Sequence, residues 1–169
     1  MMVQLETYSF LDDGRFPNSP LPLLVYRGAI PANAGAMERT FRANGWSNAW
    51  RNGIFGYHHF HSIAHEVLGI AAGEVCVEFG GPEGQAIEVR AGDVVAIPAG
   101  VGHRNAGQTG NLLVVGAYPG GADYDTRRGN LSEHDEALRD ITAVVVPTCD
   151  PVFGPEGPLH RVWTLKQTA

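Results

Sequence analysis

The sequence has few of the features that mark nucleic-acid-binding or disulfide-stabilised proteins. Its 169 residues include 12 basic and 18 acidic residues, which gives a net charge of −6, and Lys166 is the only lysine. There is no basic stripe, so we do not expect a nucleic-acid partner. The two cysteines, Cys76 and Cys149, lie far apart and form no metal or redox motif. This usage favours free thiols in a reducing cytoplasm.

Long hydrophobic runs are also missing. No apolar stretch approaches the roughly 18 residues that a membrane-spanning helix needs, so we do not expect a membrane protein. The first ten residues contain Glu6 and lack the basic region of a secretory signal. We therefore expect a cytoplasmic location. The length agrees with one domain over residues 1–169, large enough to bury a core without disulfides.

Histidine, by contrast, is concentrated in one short stretch. Residues 53–73 contain four of the seven histidines and one carboxylate, Glu66. The four are His58, His59, His61 and His65. A second stretch, residues 92–105, brings His103 directly after a Pro-x-Gly turn. These two stretches are the candidate functional site.

The spacing of these residues suits a metal ion. His59 and His61 are two apart in an aromatic-rich segment that predicts a strand, so both imidazoles point to one face, about 6.6 Å apart along the backbone. A turn at 62–64 would make a hairpin that returns Glu66 to that face, and His103 can reach it from a neighbouring strand. By strand parity, His58 and His65, the residue before Glu66, face away from that side. Three imidazoles and a carboxylate suit a divalent transition metal (iron, manganese, nickel or zinc) better than magnesium or calcium.

Both stretches resemble the signature motifs of the cupin superfamily. The first reads glycine, five residues, histidine, one residue, histidine, four residues, glutamate, six residues, glycine, and it is similar to the first cupin motif at every position. The second is similar to the second motif, except that Gly107 stands where the family has an asparagine and an asparagine occurs at Asn105. The resemblance implies the metal ligands His59, His61, Glu66 and His103. The alternative is a set of satisfied polar residues in a barrel that has lost its metal.

The likeness extends beyond the motifs. Residues 116–126 and 149–163 resemble the uncharacterised single-domain bacterial cupins of the YjlB type. With this resemblance, the many short strands broken by glycine and proline predict an all-β fold, a cupin jelly-roll β-barrel built as an antiparallel double sheet with a few short peripheral helices. Besides the two strands of the histidine hairpin, the predicted strands cover residues 4–10, 23–27, 74–79, 86–89, 94–97, 103–106, 112–118 and 144–146, with 4–10 expected at a sheet edge.

Two helices are predicted on the periphery. Asn33 is the predicted N-cap of the first, and the apolar stripe of Met37, Phe41 and Trp46 is expected to pack on the outside of the barrel. Ser132 predicts the start of a second helix that runs to residue 141. From residue 147 onward we expect little regular structure, with a tryptophan at position 163 as the anchor of the tail.

Strand parity also predicts the surroundings of the site. Phe55 and Tyr57 share the parity of the paired histidines, and Leu68 and Ile70 share that of Glu66. We therefore expect a mostly apolar cavity in which Tyr57 is the nearest polar group and a candidate proton donor. Tyr57 and Glu66 are the candidate catalytic residues.

Three functions are compatible with this site. A metal-dependent oxygenase, with divalent iron that keeps open positions for substrate and dioxygen, is favoured. The alternatives are a non-redox isomerase, epimerase or lyase and a small-ligand binding module, because this fold hosts many chemistries. The expected partner is a small molecule. We also expect a homodimer, because jelly rolls leave sheet edges that need covering. Trp50 and Arg51 precede the first motif and are expected near the mouth of the site.

Overall fold

Residues 3–168 fold into two antiparallel β-sheets with three short helices, which confirms the predicted all-β architecture. The computed structural model describes residues 3–168, with side chains through Thr164. The strands are β1 Gln4–Phe10, β2 Ser19–Arg27, β3 Trp46–Asn52, β4 Glu66–Ala72, β5 Glu74–Phe79, β6 Gln85–Arg90, β7 Val94–Ile97, β8 His103–Gln108 and β9 Leu113–Pro119. The helices are α1 Ala34–Ala43, α2 His134–Ala143 and α3 Pro158–Thr168, and a 3-10 turn at Leu131–Glu133 precedes α2.

Strand pairing divides the β structure into a large and a small sheet. The large sheet has six strands in the order β1-β2-β7-β4-β9-β3, and the small sheet has three in the order β6-β5-β8. β1 lies at the edge of the large sheet, as the sequence predicted. β4 pairs with both β7 and β9, so its first residue, Glu66, starts in the middle of the large sheet.

Apolar side chains on the two faces of the large sheet form two separate cores. Leu23 and Val25 of β2 point between the sheets, while Leu24 and Tyr26 point to the opposite face, as strand alternation requires. Each fully buried side chain of this kind stabilises the fold by about 1.5–3 kcal/mol. The core between the sheets is built from Leu23, Val25, Leu68, Ile70, Val75, Val77, Phe79, Ile87, Val89, Val95, Ile97, Val101 and Val114.

The outer core is covered by α1 and α3. Asn33 caps α1 through a bond from the Ala36 amide (2.9 Å), which confirms the predicted cap. Met37 and Phe41 lie on Gly69 of β4, where an added Cβ would stand 2.7 Å from the methionine sulfur. A bare glycine therefore lets the helix approach the sheet closely.

Several predicted elements differ from the structure. Trp46 does not continue the stripe of α1 but begins β3, because the chain leaves the helix through Gly45 at a φ of +81°. Asn130, rather than Ser132, caps the turn before α2. Residues 144–146 form no strand, and the tail contains α3. Its anchor was predicted correctly, since Trp163 is fully buried and its indole N–H donates to the Pro22 carbonyl (2.8 Å).

The histidine-rich segment is not the predicted strand of a hairpin. Within residues 57–65 only His59 and Phe60 make bridge pairings, with His103 and Arg127. β4 pairs with β7 and β9 instead of this segment. The segment is therefore held by long-range bridges across the end of the sandwich. Within the described range, no helix has the length and hydropathy that crossing a bilayer requires.

Candidate metal centre

Four buried side chains from three parts of the chain meet at one end of the sandwich. His59 and His61 come from the bridge segment, Glu66 opens β4 and His103 opens β8. The candidate ligand nitrogens of the three histidines all lie within 4.8 Å of one another. Oε1 of Glu66 lies 3.4 Å from Nε2 of both His61 and His103. The structure thus brings together the four residues that the sequence predicted as a group.

Backbone pairing fixes two of these residues against each other. His59 and His103 exchange both backbone hydrogen bonds, at 3.2 and 2.9 Å, and their ring centroids are 4.1 Å apart. A two-way bridge of this kind sets the register between the segment and β8. The positions of both imidazoles are therefore set by main-chain geometry.

The hydrogen bonds of the imidazoles define which nitrogen faces the centre. Nδ1 of His59 lies 3.0 Å from the Tyr57 carbonyl, Nδ1 of His103 lies 3.1 Å from the Val101 carbonyl, and Nδ1 of His61 bonds to the Asp125 carbonyl. A carbonyl oxygen only accepts, so each Nδ1 carries the proton. A neutral ring then directs the lone pair of Nε2 inward, which is the arrangement of a metal-binding histidine. The donor set therefore fits a divalent transition metal.

Burial and mutual charge set the protonation of the group. Burial, with His103 close by, lowers the pKa of His59 to about 3, so this ring is neutral at physiological pH. Burial acts to raise the pKa of Glu66, but the adjacent imidazoles of His61 and His103 outweigh it and hold that pKa below its ordinary value. Burial acts to lower the pKa of His61, and the Glu66 carboxylate outweighs it and raises that pKa. The centre therefore contains a charged carboxylate beside imidazoles.

The second oxygen of Glu66 belongs to a chain of hydrogen bonds. Tyr118 donates to Oε2 of Glu66 (2.7 Å), and the indole N–H of Trp50 donates to the Tyr118 oxygen (2.8 Å). Because an indole can only donate, the phenol proton is directed to the carboxylate. Burial and the Glu66 charge raise the pKa of Tyr118, so the phenol stays protonated. Oε1 of Glu66 is left to face the histidines.

A bare glycine supports this chain. The Trp50 indole lies on Gly116, where an added Cβ would be 2.2 Å from ring atoms. Trp50 and Gly116 are register partners in β3 and β9, so the sheet itself places the ring. Trp50 was expected near the mouth and does line the cavity, whereas Arg51 is absent from its walls and pairs with Glu38.

The centre forms the floor of a cavity of about 420 Å³. Its walls carry four aromatic side chains: Trp50, Phe55, Tyr118 and Tyr124. The remaining lining residues are Asn52, Gly53, Ile54, Leu68 and Thr126. The volume suits one small molecule, since ligand pockets span about 300–1,000 Å³.

The loop 120–130 closes one side of the site. The Asp125 carboxylate accepts from the backbone of Ser62 (2.7 Å) and from its hydroxyl. Arg127 donates to the Ser62 hydroxyl (2.9 Å) and to Asp140 of α2 (2.9 Å). The loop is thereby tied to the segment that carries His61. Sequence reasoning missed this role of the loop, and two acidic residues followed by two basic residues in 123–128 were the one available signal.

Tyr57 does not occupy its predicted place. Its ring stacks on Phe55 at 4.9 Å with the Arg128 guanidinium 3.6 Å from its centroid, and it is absent from the cavity walls. The prediction that it is the polar group nearest the centre is wrong, because Tyr118 holds that position. Strand parity failed because residues 53–58 are not a strand. Phe55 and Leu68 line the cavity as predicted, while Ile70 lies in the core between the sheets.

His65 faces away from the centre, as parity predicted. Its Nδ1 accepts from the Ala99 amide (2.9 Å), its Nε2 lies 3.1 Å from the Val145 carbonyl, and its ring packs against Trp163 (4.7 Å). Burial lowers the pKa of His65 to about 4. The ring is therefore neutral and links three separate segments. His58 also faces away, toward Glu78 (3.4 Å).

A close sequence relative shows which family contains this arrangement. The uncharacterised protein YjlB of Bacillus subtilis (strain 168) is 44% identical over 161 residues, which cover 95% of this chain and 97% of YjlB. The chain belongs to the YjlB family of cupins. Its two cupin motifs supply the four residues of the centre. No protein-family model matches the chain.

Solved structures offer more distant likenesses to this cupin. Acireductone dioxygenase from Bacillus anthracis, with a cadmium ion in its active centre, is 16% identical with a TM-score of 0.39 over 52% of this chain and 59% of its own. The sugar 3,4-ketoisomerase QdtA from Thermoanaerobacterium thermosaccharolyticum, in complex with TDP, is 19% identical with a TM-score of 0.40 over 56% and 74%. Neither likeness bears on the activity of this chain.

Proposed function

We propose that this cupin binds one divalent transition-metal ion and acts as a metalloenzyme on a small organic molecule, with an oxygenase as the favoured reaction class. The ligands would be His59, His61, Glu66 and His103. Iron, manganese, nickel and zinc all suit histidine and carboxylate ligands. The cavity above the four side chains gives a small substrate access to the ion.

The observation that supports this proposal most directly is the orientation of the three imidazoles. Every Nδ1 is bonded to a backbone carbonyl, so every Nε2 is free to bind an ion. A charged carboxylate lies 3.4 Å from two of these nitrogens. Three imidazoles and one carboxylate are already gathered in a buried place, so binding an ion requires little reorganisation.

The residues around the ligands would contribute positioning and a proton. Tyr118 holds one oxygen of Glu66 and leaves the other to the ion. The same phenol lines the cavity, whereas Tyr57 does not, so Tyr118 is the residue that we propose for proton transfer to or from the substrate. A bound divalent ion would supply Lewis acidity and, if it is iron, a redox centre through which electrons pass from the oxidised substrate to dioxygen.

The position of Tyr118 also favours a second candidate function. A phenol beside the carboxylate could move a proton to and from a substrate carbon or oxygen without any redox change. An isomerase, epimerase or lyase would use the same residues. Consumption of dioxygen marks the oxygenase, while exchange of a substrate proton with solvent and activity with zinc mark the second class. Tight binding without turnover would indicate a binding module.

Metal content of single variants tests the proposed centre. His103→Ala should lose most of the metal per subunit, because one neutral donor is removed, and Glu66→Gln should retain metal with weaker affinity. His58→Ala is the matched control, since it lies in the same segment and faces away, and its metal content should equal that of the wild type. Elemental analysis of untagged protein, with circular dichroism as the folding check, gives the answer. Full occupancy in His103→Ala would contradict the ligand set.

We also propose that the protein is a cytoplasmic homodimer. Within the described residues, β1 has a strand partner on one side only, and an unpaired edge is a place where a second subunit can dock. Light scattering should give about twice the chain mass of 18.1 kDa at micromolar concentration. A single species at the chain mass would argue against the dimer.

A further inference from the structure

The cavity walls carry few charged side chains, which limits the charge of a substrate. Within the described range, neither a lysine nor an arginine lines the cavity, and Glu66 is the one carboxylate there. The nearby arginines are engaged elsewhere: Arg127 with Asp125 and Asp140, and Arg128 over Tyr57. A phosphate or a second carboxylate on a substrate would therefore enter without a protein cation to pair with, which is strongly unfavourable in a buried place.

With an ion bound, the charge balance becomes more selective. A divalent ion and the Glu66 carboxylate together leave one net positive charge at the floor of the cavity, since the histidines are neutral donors. One ionised oxygen of a substrate would neutralise this charge. A second negative group would be left unbalanced between aromatic walls.

Partly exposed aromatic rings form the walls beside the ligand positions. Phe55 lies edge-on to His59 (5.1 Å), and Tyr124 lies edge-on to His61 (5.2 Å), so aromatic rings flank two of the ligand positions. Phe55 is 52% exposed and Tyr124 is 44% exposed. Each is backed by another ring, since Phe55 stacks on Tyr57 (4.9 Å) and Tyr124 on Tyr118 (4.4 Å). Such open faces are suited to stacking on a flat molecule.

We propose that the substrate class of this site is a flat, uncharged molecule with two adjacent oxygen atoms that ionises once on binding. This inference rests on the proposed metal centre. The adjacent oxygens would bind the ion, the single ionisation would match the net charge, and the flat body would lie between the exposed aromatic walls. Phosphorylated compounds and polycarboxylates carry a second negative group, for which the described cavity walls offer no lysine or arginine. Asn52 and Thr126 provide neutral hydrogen-bonding groups at the walls.

Two catechols that differ at one ring position test the charge argument. The first is 4-methylcatechol, and the second is 3,4-dihydroxybenzoate, in which a carboxylate replaces the methyl group. Isothermal titration of the zinc-loaded protein should show 4-methylcatechol binding at least 10-fold more tightly. Equal or tighter binding of the benzoate would overturn the charge argument. A wild-type protein that takes up no metal would overturn the proposed function and this inference with it. Elemental analysis before each titration distinguishes that failure from a metal-loaded protein that prefers the benzoate.

A pair of phenylalanine variants tests the walls. Phe55→Ala should weaken 4-methylcatechol binding about 10-fold without changing the zinc content. Phe153→Ala is the control, because Phe153 has a similar exposure of 44% but does not line the cavity. This control should bind the probe as the wild type does. Unchanged affinity in Phe55→Ala with full zinc occupancy would overturn the stacking argument.

Discussion

Replacing His65 should damage the fold while leaving the metal centre intact. The ring links the Ala99 amide in the turn before β8, the Val145 carbonyl after α2 and the Trp163 ring in α3. Its side chain is 2% exposed and Ala99 is equally buried, so bulk solvent cannot replace the acceptor of the Ala99 amide. His65→Ala removes all three at once.

The magnitude follows from the contacts that are lost. Leaving the buried Ala99 N–H without an acceptor costs about 1–3 kcal/mol. The lost contact with the Trp163 ring costs about 0.5–1.5 kcal/mol, and the cavity adds to this. We expect His65→Ala to lower the free energy of unfolding by about 3–5 kcal/mol, a large part of the 5–15 kcal/mol typical of a domain.

Two further variants separate the two hydrogen bonds. The amide of asparagine reaches the position of Nδ1, so His65→Asn can keep an acceptor for Ala99 and lose the bond to Val145. The amide of glutamine reaches the position of Nε2, so His65→Gln can keep the bond to Val145 and lose the acceptor. Because an unsatisfied buried N–H costs more than a carbonyl near the surface, we expect the glutamine variant to be less stable by about 1 kcal/mol.

Urea unfolding followed by circular dichroism measures these differences, and elemental analysis measures metal per subunit in the same samples. All three His65 variants that fold should bind metal as the wild type does, because the ring faces away from the centre. An alanine variant within 1 kcal/mol of the wild type would refute the stability argument. A folded variant without metal would refute the placement of the ring.

Two other predictions concern the Trp50 chain and a surface pair. Gly116→Ala should displace the Trp50 indole, lower stability by about 1–3 kcal/mol and weaken metal binding several-fold. Gly110→Ala is the control, because a Cβ added there meets open space, and it should change neither stability nor metal affinity. Urea unfolding and chelator competition measure the two quantities. Hydrogen bonds with Asp12 and then Asp135 raise the pKa of His134, so this pair stabilises the fold fully below the unfolded pKa of about 6.5 and is lost as pH rises through the folded value. His134→Gln should therefore cost about 0.5 kcal/mol at pH 6 and nothing at pH 9, and an equal cost at both would contradict the assignment.

Local patterns in the sequence predicted the regular strands well. Residues 74–79 and 94–97 were bounded correctly as β5 and β7, because alternation and flanking turn residues are local signals. The wrong predictions arose where long-range contacts decided the structure and local patterns did not. Trp46 was grouped with Met37 and Phe41, but it lies five residues after Phe41 and beyond Gly45, and its position in β3 depends on pairing with β9. The tail helix α3 owes its position to burial of Trp163 on the large sheet.

The sequence alone also identified the four residues of the centre. Their types and their spacing in two short chain segments resemble the two cupin motifs. Tyr118 could not be identified in this way, since it lies 52 residues beyond Glu66 and reaches it only because β9 pairs with β4. The direction of its proton depends on Trp50, which comes from β3 on the other side of β9. The sequence determined which groups can hold an ion, because that depends on residue chemistry. The tertiary structure decided which phenol serves them, because the choice among Tyr57, Tyr118 and Tyr124 depends on strand register between distant segments.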